Sequence, residues 1–440
     1  MTYDKNDLIN KHPSDIAETI EALSDNEQTV AFLLLPGHIC GEVFTYLDRE
    51  TQEHILRNMG SKEIAEVFNS MSPDDRTQIF IDFPDNLIKN AVNLLSVEER
   101  KIVLTLIGYG EDTVGRMMTP HYVEVKQHWT KTQTLQHIKR FGKKAETLNF
   151  IYVTDEHGKL IDDIKIGDLL MADESTTIAT IMDYQFVSIA SVMTKEDAIL
   201  IFEKYDRAAL PIVSEAGILV GIITFDDIMD QVEKRDTEDI QKFGGVEALD
   251  LPYVSTSVFE MVKKRATWLV VLFVGEMFTA SAMSYFQGEI EKAIVLTLFI
   301  PLIISSGGNT GSQAATLIIR AMALNEITLK DWWFVMRKEI LSGLALGLIL
   351  GIIGFVRIFL WQEVGIFDYG IHWLAIAFTV SLSLLGIVLW GTLSGSMIPF
   401  VLKRLKLDPA TSSAPLVATM VDVTGLVIYF SIAAVLLKEM

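Results

Sequence analysis

The chain has 440 residues, half of them hydrophobic, and a formal net charge of −20 at pH 7, so its length favours two or more domains over a single core. The charge is uneven, because residues 1–258 carry a net charge of −21 and residues 259–440 a net charge of +1. The acidic front half argues against binding to nucleic acid or anionic lipid and favours a divalent cation as partner. A single cysteine, Cys40, excludes a disulfide framework and a cysteine-based zinc site within this chain.

The first 105 residues contain a 12-residue repeat, in which an apolar residue precedes a helix-stopping or capping residue, as in Leu23-Ser24 and Leu35-Pro36. The segments between these pairs are long enough for about two helical turns. The repeat predicts short helices stacked into an acidic, all-α superhelical solenoid over residues 1–113. The opening residues lack the basic start and apolar core of a signal peptide, so we expect the front half to stay in the cytoplasm.

A pattern of strands alternating with helices follows and occurs twice. Leu148–Asp173 and Ala208–Val232 each hold an apolar strand, a glycine turn, a second strand and a helix opened by Asp, about 60 residues apart. Such tandem α/β units resemble a pair of CBS (cystathionine-β-synthase-like) modules, which usually act as ligand sensors. We expect these modules at 114–178 and 179–236, with ATP as a candidate ligand of the pair, and a connecting helix at 237–265.

Five apolar segments form a predicted transmembrane domain over residues 266–440, and each is near or above the length that crosses about 30 Å of hydrocarbon. Ten Lys and Arg residues fall on the side shared with the acidic half, against Lys292, Arg357 and Lys438 on the other side. Because cytoplasmic loops are rich in Lys and Arg, this places the acidic half in the cytoplasm and the C-terminus outside. The predicted spans are Trp268–Tyr285, Ala293–Ile319, Ile340–Trp361, Trp373–Val401 and Ser412–Leu437.

The second span contains Pro301–Gln313, with the sequence PLIISSGGNTGSQ, whose polar side chains have no water to bind inside a bilayer. Asn309 and Gln313 are four residues apart and share one helix face, so they must face protein or an aqueous path. Gly307 and Gly308 allow close approach of another helix or of a hydrated ion. Two interpretations remain open: helix packing held by amides, or the wall of a wet passage.

The fifth span places Asp422 near the middle of an otherwise apolar helix, where an ionised carboxylate costs roughly 2.5–3.5 kcal/mol. No His and no second acid in that span shares its charge, so Asp422 must be protonated or meet a cation. An environment of carboxylate, hydroxyl and carbonyl oxygens, including the nearby Thr419, suits a hard cation such as Mg²⁺. A two-fold axis would supply a second carboxylate for a divalent ion. The alternative is a buried Asp that caps another helix.

Glu276, in the first span, is a second intramembrane acid. Glu276 either faces the same path as Asp422 or serves as a hydrogen-bond acceptor in a contact with another helix, and the sequence leaves both roles open. No HExxH, GxSxG or Walker loop occurs, so the sequence favours a transport protein over an enzyme. Transport is then either passive entry of a cation or ion-coupled export or exchange of Mg²⁺ or Co²⁺, in which Asp422 or Glu276 would titrate.

Four stretches together resemble the MgtE family of magnesium transporters, in the family's domain order and over essentially the whole chain: PLIISSGGNTGSQAATLIIRA, PFVLKRLKLDPATSSAPLVATMVDVTGLVIYF, EDTVGRMMT and TEDI. The Gly-Gly-Asn and Asp-Val-Thr-Gly motifs are the specific ones. The resemblance implies a homodimeric, Mg²⁺-selective channel of the bacterial inner membrane with its pore at the dimer axis. It also implies that Mg²⁺ bound to the cytoplasmic solenoid and CBS pair closes the gate through a connecting plug helix.

The resemblance makes Asp422 the pore carboxylate that holds hydrated Mg²⁺, with the backbone of Ala418 one helical turn earlier beside it. Clustered carboxylates on facing domains repel until divalent ions bridge them, so cytoplasmic Mg²⁺ would favour a compact, closed state. The predicted pore-lining residues are Gly307, Gly308, Asn309, Gln313 and Thr419. The sensing ligands implied by the resemblance are Asp227, Asp230, Glu238, Asp239, Glu196 and Asp206.

Two positions depart from the family pattern. Arg235 stands where the sensor usually has an acid, which would lower the number of sensing ions or replace one of them by a fixed cation. Ala414 replaces a polar residue expected near the cytoplasmic pore mouth, which would loosen the entrance. Both departures bear on the strength of gating and leave the transport function in place.

Overall fold

The computed structural model describes residues 11–83, 91–249, 253–254, 256–292, 294–411 and 413–437. Lys438, one of the orientation markers named above, lies outside the described residues. The chain divides into two compact units, Met1–Glu233 and Lys234–Met440.

The first unit begins with short helices, as the 12-residue repeat predicts. Polar residues set their starts; for example, Asp48 Oδ1 accepts a hydrogen bond of 2.7 Å from the Thr51 N–H. Their apolar faces share one core, in which Phe68 packs edge to face against Phe44 and Phe80. The described helices are α1 (Pro13–Glu21), α2 (Asp25–Leu33), α3 (Gly37–Tyr46), α4 (Arg49–Asn58), α5 (Ser61–Ser70), α6 (Pro73–Asp82) and α7 (Val97–Ile107).

Two three-stranded sheets of the same topology follow. In each, the first strand pairs in parallel with the second, and the second pairs antiparallel with the third. The second strands begin at Phe150 and Ala209, which gives the repeat an offset of 59 residues. The elements are β1 (Glu124–Lys126), α8 (Lys131–Phe141), β2 (Phe150–Thr154), β3 (Leu160–Lys165), α9 (Ile166–Met171), α10 (Ile178–Ile181), β4 (Ile189–Ala190), α11 (Lys195–Tyr205), β5 (Ala209–Val213) and β6 (Leu219–Thr224).

The connector differs from the single helix predicted over 237–265. One helix, α12 (Phe225–Phe243), starts at the end of β6 and continues across the division between the two units. The next helix, α13 (Val258–Tyr285), begins fifteen residues after α12 ends. Gly245 accounts for the end of α12, because its φ of +73° lies in the left-handed region that terminates helices and favours glycine.

In the described part of the second unit, five helices are long and apolar enough to cross a membrane, which agrees with the five predicted spans. The first of them starts ten residues before the predicted Trp268, because Ser257 caps it by accepting a 3.2 Å hydrogen bond from the Glu260 N–H. The helices are α13, a short α14 (Gln287–Lys292), a 3₁₀ turn over Ile294–Phe299, α15 (Ile300–Ala323), α16 (Trp332–Val364), α17 (Trp373–Arg404) and α18 (Ala414–Leu436).

Glycines let α15 and α16 each approach α17 backbone to backbone. A Cβ atom added at Gly391 would overlap the carbonyl oxygen of Gly307, and one added at Gly395 would overlap that of Gly311. Small residues four apart are the usual means of close helix contact in membranes, where no hydrophobic driving force exists between helices. On α16, the glycines that pack against α17 are Gly343, Gly347, Gly351 and Gly354.

We predict that Gly395→Ala destabilises the transmembrane domain by about 1–3 kcal/mol, because the added methyl group must push α17 away from α15. Thermal unfolding of the purified protein in detergent, followed by tryptophan fluorescence, measures this change. The matched control is Gly288→Ala, since a Cβ at Gly288 meets no atom within 4 Å. Equal unfolding midpoints for the two variants would show that the backbone contact contributes nothing.

Candidate functional site

The two intramembrane acids, Asp422 on α18 and Glu276 on α13, lie together in the second unit. Their carboxyl groups are within hydrogen-bonding reach of each other, and both side chains are partly exposed in the single chain. Helix α13 comes this close because Gly275 has no side chain; a Cβ there would lie 2.6 Å from Thr419 Cγ2. Glu276 therefore lies beside Asp422, and its role at an ion path stays a prediction.

Two carboxylates at this distance and membrane depth cannot both stay ionised without a positive partner, because their repulsion is strong in a medium of low dielectric constant. A shared proton or a cation between them removes the repulsion. We call Asp422 and Glu276 the acid pair. The pair gives one copy of the chain two carboxyl groups toward a divalent ion.

Helix α15 packs closely beside Asp422 at Gly308, which is buried. A Cβ at Gly308 would lie 3.4 Å from Ala418 Cβ and 4.0 Å from Asp422 Oδ1. Ala418 and Asp422 are one helical turn apart on α18, so they face the same surface of α15. The structure therefore brings Gly308, Ala418 and Asp422, all three predicted as pore residues, to one place.

A stripe of polar side chains runs along the exposed face of α15. Ser305, Asn309, Gln313 and Thr316 are all exposed in the single chain, and we call them the polar stripe. Asn309 Nδ2 donates a long hydrogen bond of 3.4 Å to Ser305 Oγ, and the Gln313 amide has no hydrogen-bond partner within the part of the chain that the structure describes. Amides left facing hydrocarbon cost several kcal/mol, so this face must meet water or another protein chain.

Gly307, also predicted to line the pore, has a packing role instead. It is buried, and a Cβ there would lie 2.5 Å from Ile387 Cγ2 and 2.6 Å from Val421 Cγ1. The physical reason is helical geometry. Consecutive residues point about 100° apart, so Gly307, two positions before Asn309, points to nearly the opposite side of the helix and cannot share the exposed face of Asn309. Thr419 lies on the α13 side of α18, next to Gly275, and its role at the pore stays a prediction.

A second group of acids lies within the first unit, where the solenoid meets the CBS pair. The carboxyl groups of Asp74 on α6 and Asp227 on α12 are within hydrogen-bonding reach of each other. Asp227 Oδ2 also accepts hydrogen bonds from the Thr224 N–H at 3.1 Å and the Thr224 hydroxyl at 2.5 Å, which fix the carboxyl group at the start of α12. We call the whole group the acid cluster; its members are Glu42, Asp74, Asp75, Glu146, Asp226, Asp227 and Asp230.

Desolvation and repulsion between carboxylates raise the pKa of several members of the acid cluster. Desolvation, followed by the charges of Asp227 and Asp75, raises the pKa of Asp74 well above its usual range. Desolvation, with the charge of Asp226 adding to it, raises the pKa of Asp227 to about 6. Desolvation, followed by the charge of Asp227, raises the pKa of Glu146 to about 7. Asp74 Oδ1 is buried and has no hydrogen-bond partner in the described part of the chain. Near pH 7 the cluster therefore needs protons or cations to offset its repulsion.

Four of the predicted sensing acids lie in the first unit, and the structure separates them. Asp227 and Asp230 belong to the acid cluster. Glu196 and Asp206 are exposed and lie at opposite ends of α11, about 15 Å apart at 1.5 Å per residue. One ion therefore cannot be bound by both of them within one chain.

The other two predicted sensing acids, Glu238 and Asp239, lie in the second unit around Lys242. Lys242 Nζ is 3.5 Å from Glu238 Oε2 and 3.0 Å from Asp408 Oδ2. Desolvation, followed by the charge of Asp408, raises the pKa of Asp239. Sequence analysis missed Asp408, although an acid in the loop that leads into the fifth span was a usable signal. Arg235, the departure from the family pattern, forms a 2.9 Å ion pair with Asp236.

Among the described residues, no group of three or more His, Cys, Asp or Glu side chains is arranged to coordinate one metal ion directly. Mg²⁺ keeps several of its waters and is usually bound through one or two carboxylates. The acid pair and the Asp74–Asp227 contact each supply two. Both places therefore suit a hydrated divalent cation better than a dehydrated one.

Three family models match this chain: a divalent cation transporter model (MgtE) over residues 300–432, an MgtE intracellular N domain over 11–112, and a CBS domain over 178–234. The chain is 37% identical to the magnesium transporter MgtE of Thermus thermophilus, over 97% of this chain and 93% of that protein. It is 30% identical to the magnesium transporter MgtE of Bacillus subtilis, over 79% of this chain and 74% of that protein.

Solved structures resemble the front half. The soluble part of a magnesium transporter has the same fold, with 23% identity and a TM-score of 0.50, over 52% of this chain and 93% of that chain. The cytosolic domain of the Mg²⁺ channel MgtE, crystallised in complex with ATP, is 32% identical with a TM-score of 0.49, over the same shares of the two chains.

The raised pKa values predict that the acid cluster opens as pH rises. A carboxyl group whose pKa is higher in the folded protein than in the unfolded chain favours folding at low pH, and that contribution is lost between the unfolded pKa, near 4, and the folded pKa, about 6 to 7. Without divalent cations, we expect hydrogen exchange in α6, corrected for its intrinsic pH dependence, to speed up about fivefold from pH 5 to pH 8. Added Mg²⁺ should reverse the change at pH 8.

Asp74→Asn should weaken both effects, because it removes the charge on α6 that faces Asp227. Asp173→Asn, an exposed acid of the first CBS module outside the cluster, serves as the matched control and should behave like the unaltered protein. An Asp74→Asn variant that keeps the full response to pH and to Mg²⁺ would contradict the assignment of the cluster.

Proposed function

This chain belongs to the MgtE family of magnesium transporters, and we propose that it is a channel for passive entry of Mg²⁺, formed by two copies of the chain in the bacterial inner membrane. Entry is closed when Mg²⁺ binds to the cytoplasmic half. The observation that carries the proposal is the acid pair beside the exposed polar stripe, because hydrocarbon can satisfy neither of them.

The ion path runs along α15 and α18. Mg²⁺ reaches the acid pair with most of its waters in place, and Asp422 and Glu276 accept hydrogen bonds from those waters or bind the ion directly. Gly308 lets α15 lie against the part of α18 that carries Ala418 and Asp422, since even a Cβ at Gly308 would be in contact with Ala418. Asn309 and Gln313 extend the hydrated wall, and their amide groups bind water in place of a protein partner.

A second copy of the chain completes this path. The polar stripe is uncovered within one chain, so a copy related by a two-fold axis would enclose water between two such stripes. The axis would also bring a second acid pair to the ion. Four carboxyl groups around one divalent ion would favour divalent over monovalent cations, because the attraction scales with the ion's charge.

The direction of flow follows from orientation and membrane potential. Lys and Arg gather at the ends of the spans that adjoin the acidic half, which supports a cytoplasmic position for that half and an outside position for the C-terminus. With the inside negative, entry of a divalent ion gains about 4.6 kcal/mol per 100 mV. Passive transport is therefore inward, and the matching family model is that of a divalent cation transporter.

Closure depends on the acid cluster. When cytoplasmic Mg²⁺ is scarce, the carboxylates of the solenoid and of the second CBS module repel each other and the contact opens; when it is abundant, Mg²⁺ bridges them. Glu238, Asp239 and Asp408 offer a further cation position around Lys242, near the loop that leads into α18. The CBS pair is where ATP would bind, a proposal that rests on the CBS match over 178–234.

An ion-coupled exporter or exchanger is the second candidate, and the acid pair is the specific observation in its favour. Two carboxyl groups within hydrogen-bonding reach hold a proton when no cation lies between them, and a transporter of Mg²⁺ or Co²⁺ would exchange that proton for the ion. Mg²⁺ flux into liposomes with and without a pH gradient separates the two functions. Passive entry predicts a flux that follows the membrane potential and ignores the gradient.

We predict that Asp422→Ala reduces Mg²⁺ uptake by purified protein in liposomes at least 100-fold, because the carboxylate that replaces lost hydration is gone. Glu276→Gln, which keeps the size and polarity of the side chain, should reduce uptake about tenfold, since one charged acceptor of the pair remains. Glu363→Gln, an exposed acid near the end of α16, is the control and should transport normally. Full uptake by Asp422→Ala would refute the proposed pore.

A further inference from the structure

An arginine without a polar partner lies in an apolar groove on the outer surface of the transmembrane domain. The groove has a volume of about 590 Å³ and runs along α16, where Arg357 lies among Ile353, Val356, Leu360 and Trp361. The rest of the groove lining is apolar as well. The groove therefore holds one cationic side chain within an apolar surface that suits acyl chains.

The depth of Arg357 in the bilayer follows from the tryptophans of α16. Trp333 and Trp361 are 28 residues apart, which corresponds to about 42 Å of helix and matches the roughly 40–45 Å thickness of a bilayer including its two headgroup regions. Tryptophan is enriched at both of these interfaces. Arg357 lies one turn inside Trp361, at the boundary between headgroups and acyl chains, on the side that the proposed orientation makes the outer leaflet.

The guanidinium group of Arg357 is held in place by aromatic rings and leaves its N–H donors unused. Its central carbon lies 4.1 Å from the ring centre of Trp361 and 5.6 Å from that of Phe299, distances typical of cation–π contact. No hydrogen bond or ion pair joins Arg357 to any other residue within the described ranges. A fixed guanidinium with free donors matches a phosphate group, which accepts two parallel N–H bonds.

We propose that Arg357 and this groove bind an anionic phospholipid. The guanidinium binds the headgroup phosphate, and one acyl chain lies along Ile353, Val356 and Leu360. A free phosphate ion has no apolar part that could fill the apolar groove. A zwitterionic lipid would find no carboxylate paired with Arg357 to receive its ammonium group. A second copy of this chain is the third alternative occupant. In the proposed channel it covers the polar stripe of α15, whereas this face of α16 has no stripe of polar side chains for a second copy to cover.

Native mass spectrometry of the full-length protein tests this proposal. The protein is prepared in mixed micelles with either phosphatidylglycerol or phosphatidylcholine carrying the same acyl chains. We expect at least one phosphatidylglycerol per chain to be retained about tenfold more strongly than phosphatidylcholine, as a charge-assisted bidentate contact predicts. Arg357→Gln should lose this preference, and Arg357→Lys should keep part of it. Arg404→Gln, at the other end of the spans, is the control and should keep it fully.

Three outcomes would overturn the proposal. The first is equal retention of phosphatidylglycerol by Arg357→Gln and the unaltered protein. The second is displacement of the lipid by millimolar inorganic phosphate, which would show that the groove plays no part. The third is a cross-link between two chains from a cysteine placed at Val356, which would show that a second copy covers the groove. The unfolding midpoint of each variant confirms that loss of lipid does not reflect loss of fold.

Discussion

The transmembrane half depends on one constraint: no carboxylate or amide can be left without a partner in hydrocarbon. Among the described residues, the polar side chain next to Asp422 is another acid, Glu276, and the amides of the polar stripe have one long hydrogen bond, from Asn309 to Ser305. In the proposed channel, water, a cation and a second copy of the chain together remove this deficit. The glycine contacts of α15 and of α16 with α17 fix how these helices pack.

Repulsion between neighbouring carboxylates also occurs outside the membrane, where it has a different consequence. In the acid pair, repulsion between carboxylates makes a place for a passing ion. In the acid cluster, repulsion between the solenoid and the CBS module makes their contact conditional on a bound cation or proton, which the raised pKa values of Asp74, Asp227 and Glu146 reflect. One ion can thus be both cargo and signal, since both places select hard, hydrated cations.

The sequence was sufficient for elements whose periodicity is strong. The 12-residue repeat predicted the short helices, the duplicated strand pattern predicted the two sheets, and hydropathy predicted five spans. The motifs also singled out Gly308, Ala418 and Asp422, which the structure places close together; their role at a pore stays a prediction. The sequence was insufficient where distant segments meet: Asp74 and Glu146 read as ordinary surface acids, because nothing local indicates that they face Asp227. Gly307 was assigned to the pore from its motif, and only the helix contacts show that it packs against Ile387 and Val421.

The most direct test of the central claim asks whether water and Mg²⁺ reach the polar stripe. A single cysteine at Asn309, in a Cys40→Ala background that leaves no other thiol, is exposed to a membrane-impermeant thiol reagent in proteoliposomes. Leu348, in the middle of α16 and 57% exposed, has only apolar residues one helical turn away, Leu344, Ala345 and Ile352, and provides the comparison position. The account predicts that the cysteine at 309 reacts, that Mg²⁺ slows the reaction, and that a cysteine at 348 stays unmodified. An unreactive cysteine at 309, or one indifferent to Mg²⁺, would contradict it.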